Sequence, residues 1–164
     1  MIYTLGCTLT ALLTSAWLTA PPGLAAPSAP ATSVHVHDGI LRGTAHQGYR
    51  TFEGIPYAAP PVGALRWKLP EPAEPWPGVR DAIRPASACP QQAGEVPGGS
   101  IDEDCLYVNV TAPDDAAPAR PRPVIVWLHG GGFTTGAGSS YDAHRMATRG
   151  DVVVKGNQPE WERA

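Results

Sequence analysis

P-V-I-V-W-L-H-G-G-G-F, residues 123–133, is the stretch on which the fold of this 164-residue chain turns. Its first six residues are a continuous apolar run, the pattern of a strand covered on both faces of a sheet. After His129 come three successive glycines. Glycine tolerates backbone angles and close approaches that a Cβ forbids, so such a run can turn its N–H groups into one shared space. Residues 140–149 are then expected to form one short helix, with Asp142 near its start, and residues 152–154 the next buried strand. Strand, glycine loop, helix and strand in that order belong to an α/β sheet.

Outward toward the N-terminus, C-L-Y-V-N-V at 105–110 alternates, with Leu106, Val108 and Val110 on one side. Residues 114–122 are a polar Ala/Pro-rich connection. From 49 to 88 proline recurs too often for a central strand or a helix. Yet Phe52, Ile55, Tyr57, Leu65, Trp67 and Trp76 want a surface to bury against, so this stretch reads as an extended, ordered arm laid across a larger body. Residues 34–36 and 40–41 read as two short strands around Asp38-Gly39. His35 and His37 fall on one face of the first; without a third local ligand they read as exposed strand histidines and not as a metal site.

Composition fits this picture. The 18 Gly and 19 Pro interrupt any long helix and exclude a bundle or coiled coil, while 43% hydrophobic residues against 16% charged exclude a wholly disordered chain. The net charge of −3 comes without a basic block, so nucleic acid is not an expected partner. The first 20 residues carry no charge and lead into P-P-G-L-A-A-P-S-A-P-A, the apolar core and small-residue exit of a secretory signal, with cleavage expected after Ala31. Five Thr and one Ser in that run argue for removal over a stable membrane span. Export places Cys89 and Cys105 in an oxidising compartment, where an even pair across a Gly/Pro-rich loop reads as a disulfide. Two free thiols are the alternative, and zinc is disfavoured because no C-x-x-C or nearby His accompanies them.

The glycine loop carries the chemistry. A phosphate loop needs a Lys and a Ser/Thr at fixed spacing; here Phe133, Thr134 and Thr135 follow Gly132 and no Lys is near. An oxyanion hole needs only N–H groups, and H-G-G-G after a strand is its lipase/esterase form. With F-E-G-I-P-Y-A-A-P-P-V-G-A-L-R-W (52–67), E-D-C-L-Y-V-N-V (103–110) and the later Y-D…G-D-V-V-V, the chain resembles the N-terminal part of a type-B carboxylesterase, the cholinesterase-like branch of the α/β-hydrolases. The resemblance runs from about Val34 to Val154, departing at Thr111, where the family carries a large apolar residue. It implies that Gly131 and Gly132 supply oxyanion-hole amides, that Cys89 and Cys105 form a disulfide, that Arg66 and Glu103 form a structural ion pair, and that His129 is structural. It implies a small-molecule carboxylic ester as substrate, no cofactor and no metal. The loop between the two cysteines has no aromatic residue to stack on a choline ammonium, which points to a general ester hydrolase and away from cholinesterase activity.

A serine esterase also needs a nucleophile, a base and an acid. The sequence contains no G-x-S-x-G, and Ser139 and Ser140 in G-A-G-S-S-Y-D read as loop or cap residues. The expected organisation is a signal peptide over 1–31, the N-terminal part of an α/β-hydrolase domain with an incomplete sheet over 32–154, and a non-matching polar tail over 155–164, as a truncation or frameshift would give. Three readings follow: a secreted ester hydrolase lineage holding the oxyanion loop without the triad, and so inactive as given; a non-catalytic adhesion or binding module; and a product whose sheet lacks its neighbours and does not fold.

Overall fold

The computed structural model describes residues 31–94, 96–114 and 121–157. Residues 1–30 of the expected signal peptide and the last seven residues of the expected tail lie outside them, while Ala31, the last residue of that expected peptide, already begins the first strand. Seven strands form one mixed sheet: β1 (Ala31–Val36), β2 (Gly39–Ala45), β3 (Tyr49–Pro56), β4 (Val79–Asp81), β5 (Tyr107–Pro113), β6 (Val124–Leu128) and β7 (Val153–Asn157), in the order β1-β2-β3-β5-β7-β6 with β4 beside β2. Among the described residues one α-helix, α1 (His144–Gly150), lies between β6 and β7.

The N-terminal hairpin turns through His37 and Asp38, with Val36 opposite Gly39. His37 therefore leaves the strand that carries His35 and turns instead onto Asp38, its Nδ1 2.8 Å from Asp38 Oδ1. β3 corrects the expected extended arm. Residues 49–55 contain no proline, so the ladder to β5 forms and Tyr49–Pro56 takes an interior place in the sheet. From Tyr57 to Gly78 the chain forms no strand, and Trp67, expected to bury, is 69% exposed. This segment docks on the hairpin through Trp76, whose backbone N–H donates to Asp38 O at 2.9 Å and whose indole Nε1 donates to Ile40 O at 3.0 Å.

Two apolar clusters hold these layers. Leu41, Phe52 and Ala82 are buried with Val34, Ile55, Trp76 and Val110 around them, and Ala58, Cys89, Cys105 and Leu106 are buried beside Tyr57. Leu106 and Val108 are both buried and Val110 packs on the first cluster, the one-sided alternation seen in the sequence.

The C-terminal half departs from expectation in three places. Among the described residues β6 pairs only with β7, in parallel, and stands at the edge of the sheet; Val124, Val126 and Leu128 are 61%, 55% and 49% exposed instead of covered. The helix begins at His144, not at residue 140; a 3-10 turn over Gly138–Ser140 takes up the preceding residues. Lys155, Gly156 and Asn157, assigned above to the tail, continue β7 and pair with both β5 and β6. Among the described residues no helix is long and apolar enough to cross a membrane.

Candidate active site

β6 ends at Leu128 and delivers His129 and the glycine run to one end of the sheet. The loop closes on itself through one oxygen. Gly131 O accepts from Thr134 N–H and Thr135 N–H, both at 3.1 Å, and from the hydroxyls of Thr134 at 3.1 Å and Thr135 at 3.4 Å. A trans peptide points its C=O and its N–H in opposite directions. With Gly131 C=O turned into the loop, the N–H of Gly132 is turned out of it. Among the described residues neither the Gly131 nor the Gly132 N–H meets a backbone acceptor.

The backbone angles explain why these positions are glycine. Gly131 has φ +136°, and a Cβ there would overlap the Thr135 carbonyl oxygen. Gly132 has φ +63°, and Phe133 repeats the left-handed conformation at φ 63° with its side chain 71% exposed. A non-glycine residue held there is strained by about 1–3 kcal/mol, and such strain gathers at functional loops. Gly130 is different: it needs no positive φ and has open space around it.

His129 is buried, with Nδ1 2.8 Å from Gly130 O, and its ring stacks on Tyr141 at 6.4 Å between centroids. Cys89 and Cys105 form a disulfide, both fully buried. Arg66 Nη2 lies 2.9 Å from Glu103 Oε1 with both side chains partly exposed, a geometry worth about 0–1 kcal/mol.

One other polar cluster could be mistaken for catalytic machinery. Asp142 accepts from His144 Nδ1 at 2.6 Å and from the His144 backbone N–H at 3.0 Å, and His46, Tyr49 and His144 stack in series. The backbone hydrogen bond, followed by that from the ring, holds the Asp142 carboxyl below its usual range. No hydrogen bond joins Ser139 or Ser140 to His144 among the described residues, and Ser140 N–H donates to Ala137 O within the turn. The pair organises the start of α1. Beside it a groove of about 170 Å³ runs past Asn109, Trp127, Tyr141, Met146 and Val154, without touching Gly131 or Gly132. Glu53, in the neighbouring groove, is pushed above the usual carboxylate range by burial, with His46 opposing.

The threonines that fix Gly131 O escaped the sequence reading. Their signal was present, as two hydroxyl residues directly after G-G-G-F, but what they bond to exists only once the chain turns back on itself.

Residues 30–156 match the Carboxylesterase family. Para-nitrobenzyl esterase of Bacillus subtilis (strain 168) is 48% identical over 125 residues, which are 71% of this chain and 25% of that protein. Cocaine esterase of Oryctolagus cuniculus is 40% identical over 137 residues, covering 73% and 26%. Among solved structures, a PNB esterase superposes with a TM-score of 0.69 at 46% identity over 77% of this chain and 26% of that one. A carboxylesterase of Geobacillus stearothermophilus gives a TM-score of 0.69 at 42% identity, with the same coverage. The mixed sheet with few helices is thus that of the α/β-hydrolase carboxylesterases, and the chain spans about a quarter of the length of these relatives.

Proposed function

The chain belongs to the carboxylesterase family, and from that premise we propose that residues 129–136 are the oxyanion-hole segment of a serine ester hydrolase. In such an enzyme a serine attacks the ester carbonyl, and the carbonyl oxygen gains negative charge in a tetrahedral intermediate. The Gly131 and Gly132 N–H groups would donate to that oxygen, each contributing about 3–4 kcal/mol to the transition state. The observation that carries the reading is the anchoring of Gly131 O by Thr134 and Thr135. It holds the Gly131–Gly132 peptide plane so that the Gly132 donor is oriented before any charge develops, and preorganisation is what makes such donors effective. His129 supports the loop through its neighbour Gly130 and takes no proton in this scheme.

The substrate class is a small carboxylic ester, hydrolysed through an acyl-serine without metal or cofactor. The 164 residues hold no G-x-S-x-G, so the chain as given is proposed to bind the oxyanion geometry without turnover. Its setting is proposed to be extracellular: an uncharged apolar N-terminal stretch precedes the domain, and a buried disulfide persists best in an oxidising compartment.

Two measurements test this. The purified chain should show no nitrophenyl-ester hydrolysis above buffer; turnover abolished by a serine-directed inhibitor would refute the absence of a nucleophile. Residues 31–157 grafted in place of the matched segment of the Bacillus subtilis para-nitrobenzyl esterase should support hydrolysis, and Gly131→Ala in that graft should lower kcat on the order of a hundredfold. Full activity in the Gly131→Ala graft would sink the oxyanion assignment.

A further inference from the structure

The loop is also held from outside, at its closing end. Gln91 stands 45 residues before Gly136, yet its carboxamide pairs with both polar groups of that glycine: Nε2 donates to Gly136 O at 2.8 Å, and Oε1 accepts the Gly136 N–H at 2.8 Å. A side-chain amide here does what a neighbouring strand would do. Nε2 makes a further bond to Cys89 O at 3.1 Å.

The carboxamide is presented by a cross-linked platform. Gln91 exchanges backbone bonds with Ser100 in both directions at 2.9 Å, and the Ser100 hydroxyl donates to Ala88 O at 2.7 Å. The Cys89–Cys105 disulfide closes the same loop. At the receiving end there is no slack. Gly136 has φ +118°, and a Cβ there would meet His129 Nδ1 at 2.5 Å and Gly130 O at 2.7 Å. Gly136 therefore lies directly against the two residues that open the glycine run. Those two residues directly precede Gly131 and Gly132 in the chain.

We propose that Gln91 is a positioning residue for the glycine loop: its side-chain amide clamps the Gly136 peptide and transmits the rigidity of the disulfide loop to the Gly131 and Gly132 N–H groups. The catalytic meaning of the clamp rests on the oxyanion reading above; the clamp itself does not.

The test is amide hydrogen exchange and amide chemical shifts in the isotope-labelled 164-residue chain, alone and as Gln91→Ala and Gln91→Glu. Gln91→Ala removes both halves of the pairing, so exchange at Gly136 should rise roughly three- to tenfold. Gln91→Glu keeps an acceptor for the Gly136 N–H but has no donor for Gly136 O or Cys89 O. It should retain part of the protection at Gly136. Both variants should shift the Gly131 and Gly132 amide signals while β1, β2 and β3 stay as they were. Unchanged exchange at Gly136 in Gln91→Ala overturns the proposal, as does loss of protection spread evenly over the sheet, which is the mark of general destabilisation. In the unsubstituted chain the Gln91 carboxamide protons should exchange more slowly than those of the exposed Gln92, a readout that needs no variant to fold; equal rates overturn the clamp. An active Gly131→Ala graft beside a protected Gly136 would remove the oxyanion reading and leave the clamp standing.

Discussion

The Gly54 N–H donates to Asn109 Oδ1 at 2.9 Å, across the seam between β3 and β5 where the register slips between Phe52 and Ile55. A bulge leaves a ladder amide without its strand partner, and a side chain from the facing strand takes it up. Gly54 is itself confined: it has φ +69°, and a Cβ would meet Arg84 O at 2.8 Å. Asn109→Ala strands that amide and should lower stability by about 1–3 kcal/mol in urea unfolding, whereas Asn109→Asp keeps an oxygen and should lose less. Equal losses from the two would show that the contact is not what holds the bulge.

The glycines of the loop are not equivalent. Gly131→Ala puts a Cβ on the Thr135 carbonyl oxygen, so the turn must open and Gly131 O must leave its threonine donors. Gly130→Ala meets nothing within 4 Å. Gly131→Ala should shift the Thr134 and Thr135 amide signals and lower the melting temperature, with a cost of about 1–3 kcal/mol. Gly130→Ala should be nearly neutral, at about 0.5 kcal/mol or less. A neutral Gly131→Ala would mean that the loop has another resting form.

These particulars show what the residues told in advance and what they could not. The apolar run before H-G-G-G, the alternation of Leu106, Val108 and Val110 and the even cysteine pair each carry a local signal, and each has its element or bond in the fold. Gln91 had none, since its partner lies 45 residues on and one glutamine has no period. Tyr49–Pro56 is a strand within a stretch whose proline content argues for an arm, because the prolines begin only at Pro56 and leave residues 49–55 free to pair. The exposure of β6 was hidden for another reason. A continuous apolar run records what a strand is suited to be covered by, not whether a cover is present.

That exposure has a measurable consequence. Among the described residues β6 leaves backbone groups unpaired along one edge, with apolar side chains beside them and no charge between Val124 and Leu128. Natural edge strands are commonly guarded by a lysine, because an open apolar edge recruits other chains. Val126 is 55% exposed, so Val126→Lys removes little burial. The variant should raise the monomer fraction of the purified chain severalfold in light scattering while leaving its unfolding midpoint within about 0.5 kcal/mol of the parent. Unaltered association would place the sticky surface elsewhere, for instance at Trp67 and Leu69, which are 69% and 88% exposed.

The phenol of Tyr107 gives the fold an alkaline limit. Its pKa is pushed up to about 12, first by burial, which disfavours the phenolate, and then by the hydrogen bond to Asp104 and that residue's negative charge. An unfolded tyrosine ionises near 10. Below about pH 10 both states hold the proton and stability does not respond to this group. Between about pH 10 and 12 the unfolded chain releases its proton while the folded one keeps it. The unfolded state then binds fewer protons, and stability falls as pH rises. Tyr107→Phe has no proton to release, so its unfolding midpoint should decline less steeply than the parent's from about pH 9 to about pH 11. At neutral pH the variant should differ by no more than the loss of one hydroxyl hydrogen bond, about 1 kcal/mol. Two midpoint curves that stay parallel across the alkaline range would show that Tyr107 ionises as freely in the fold as outside it, and would remove this group from the account of the β5 strand end.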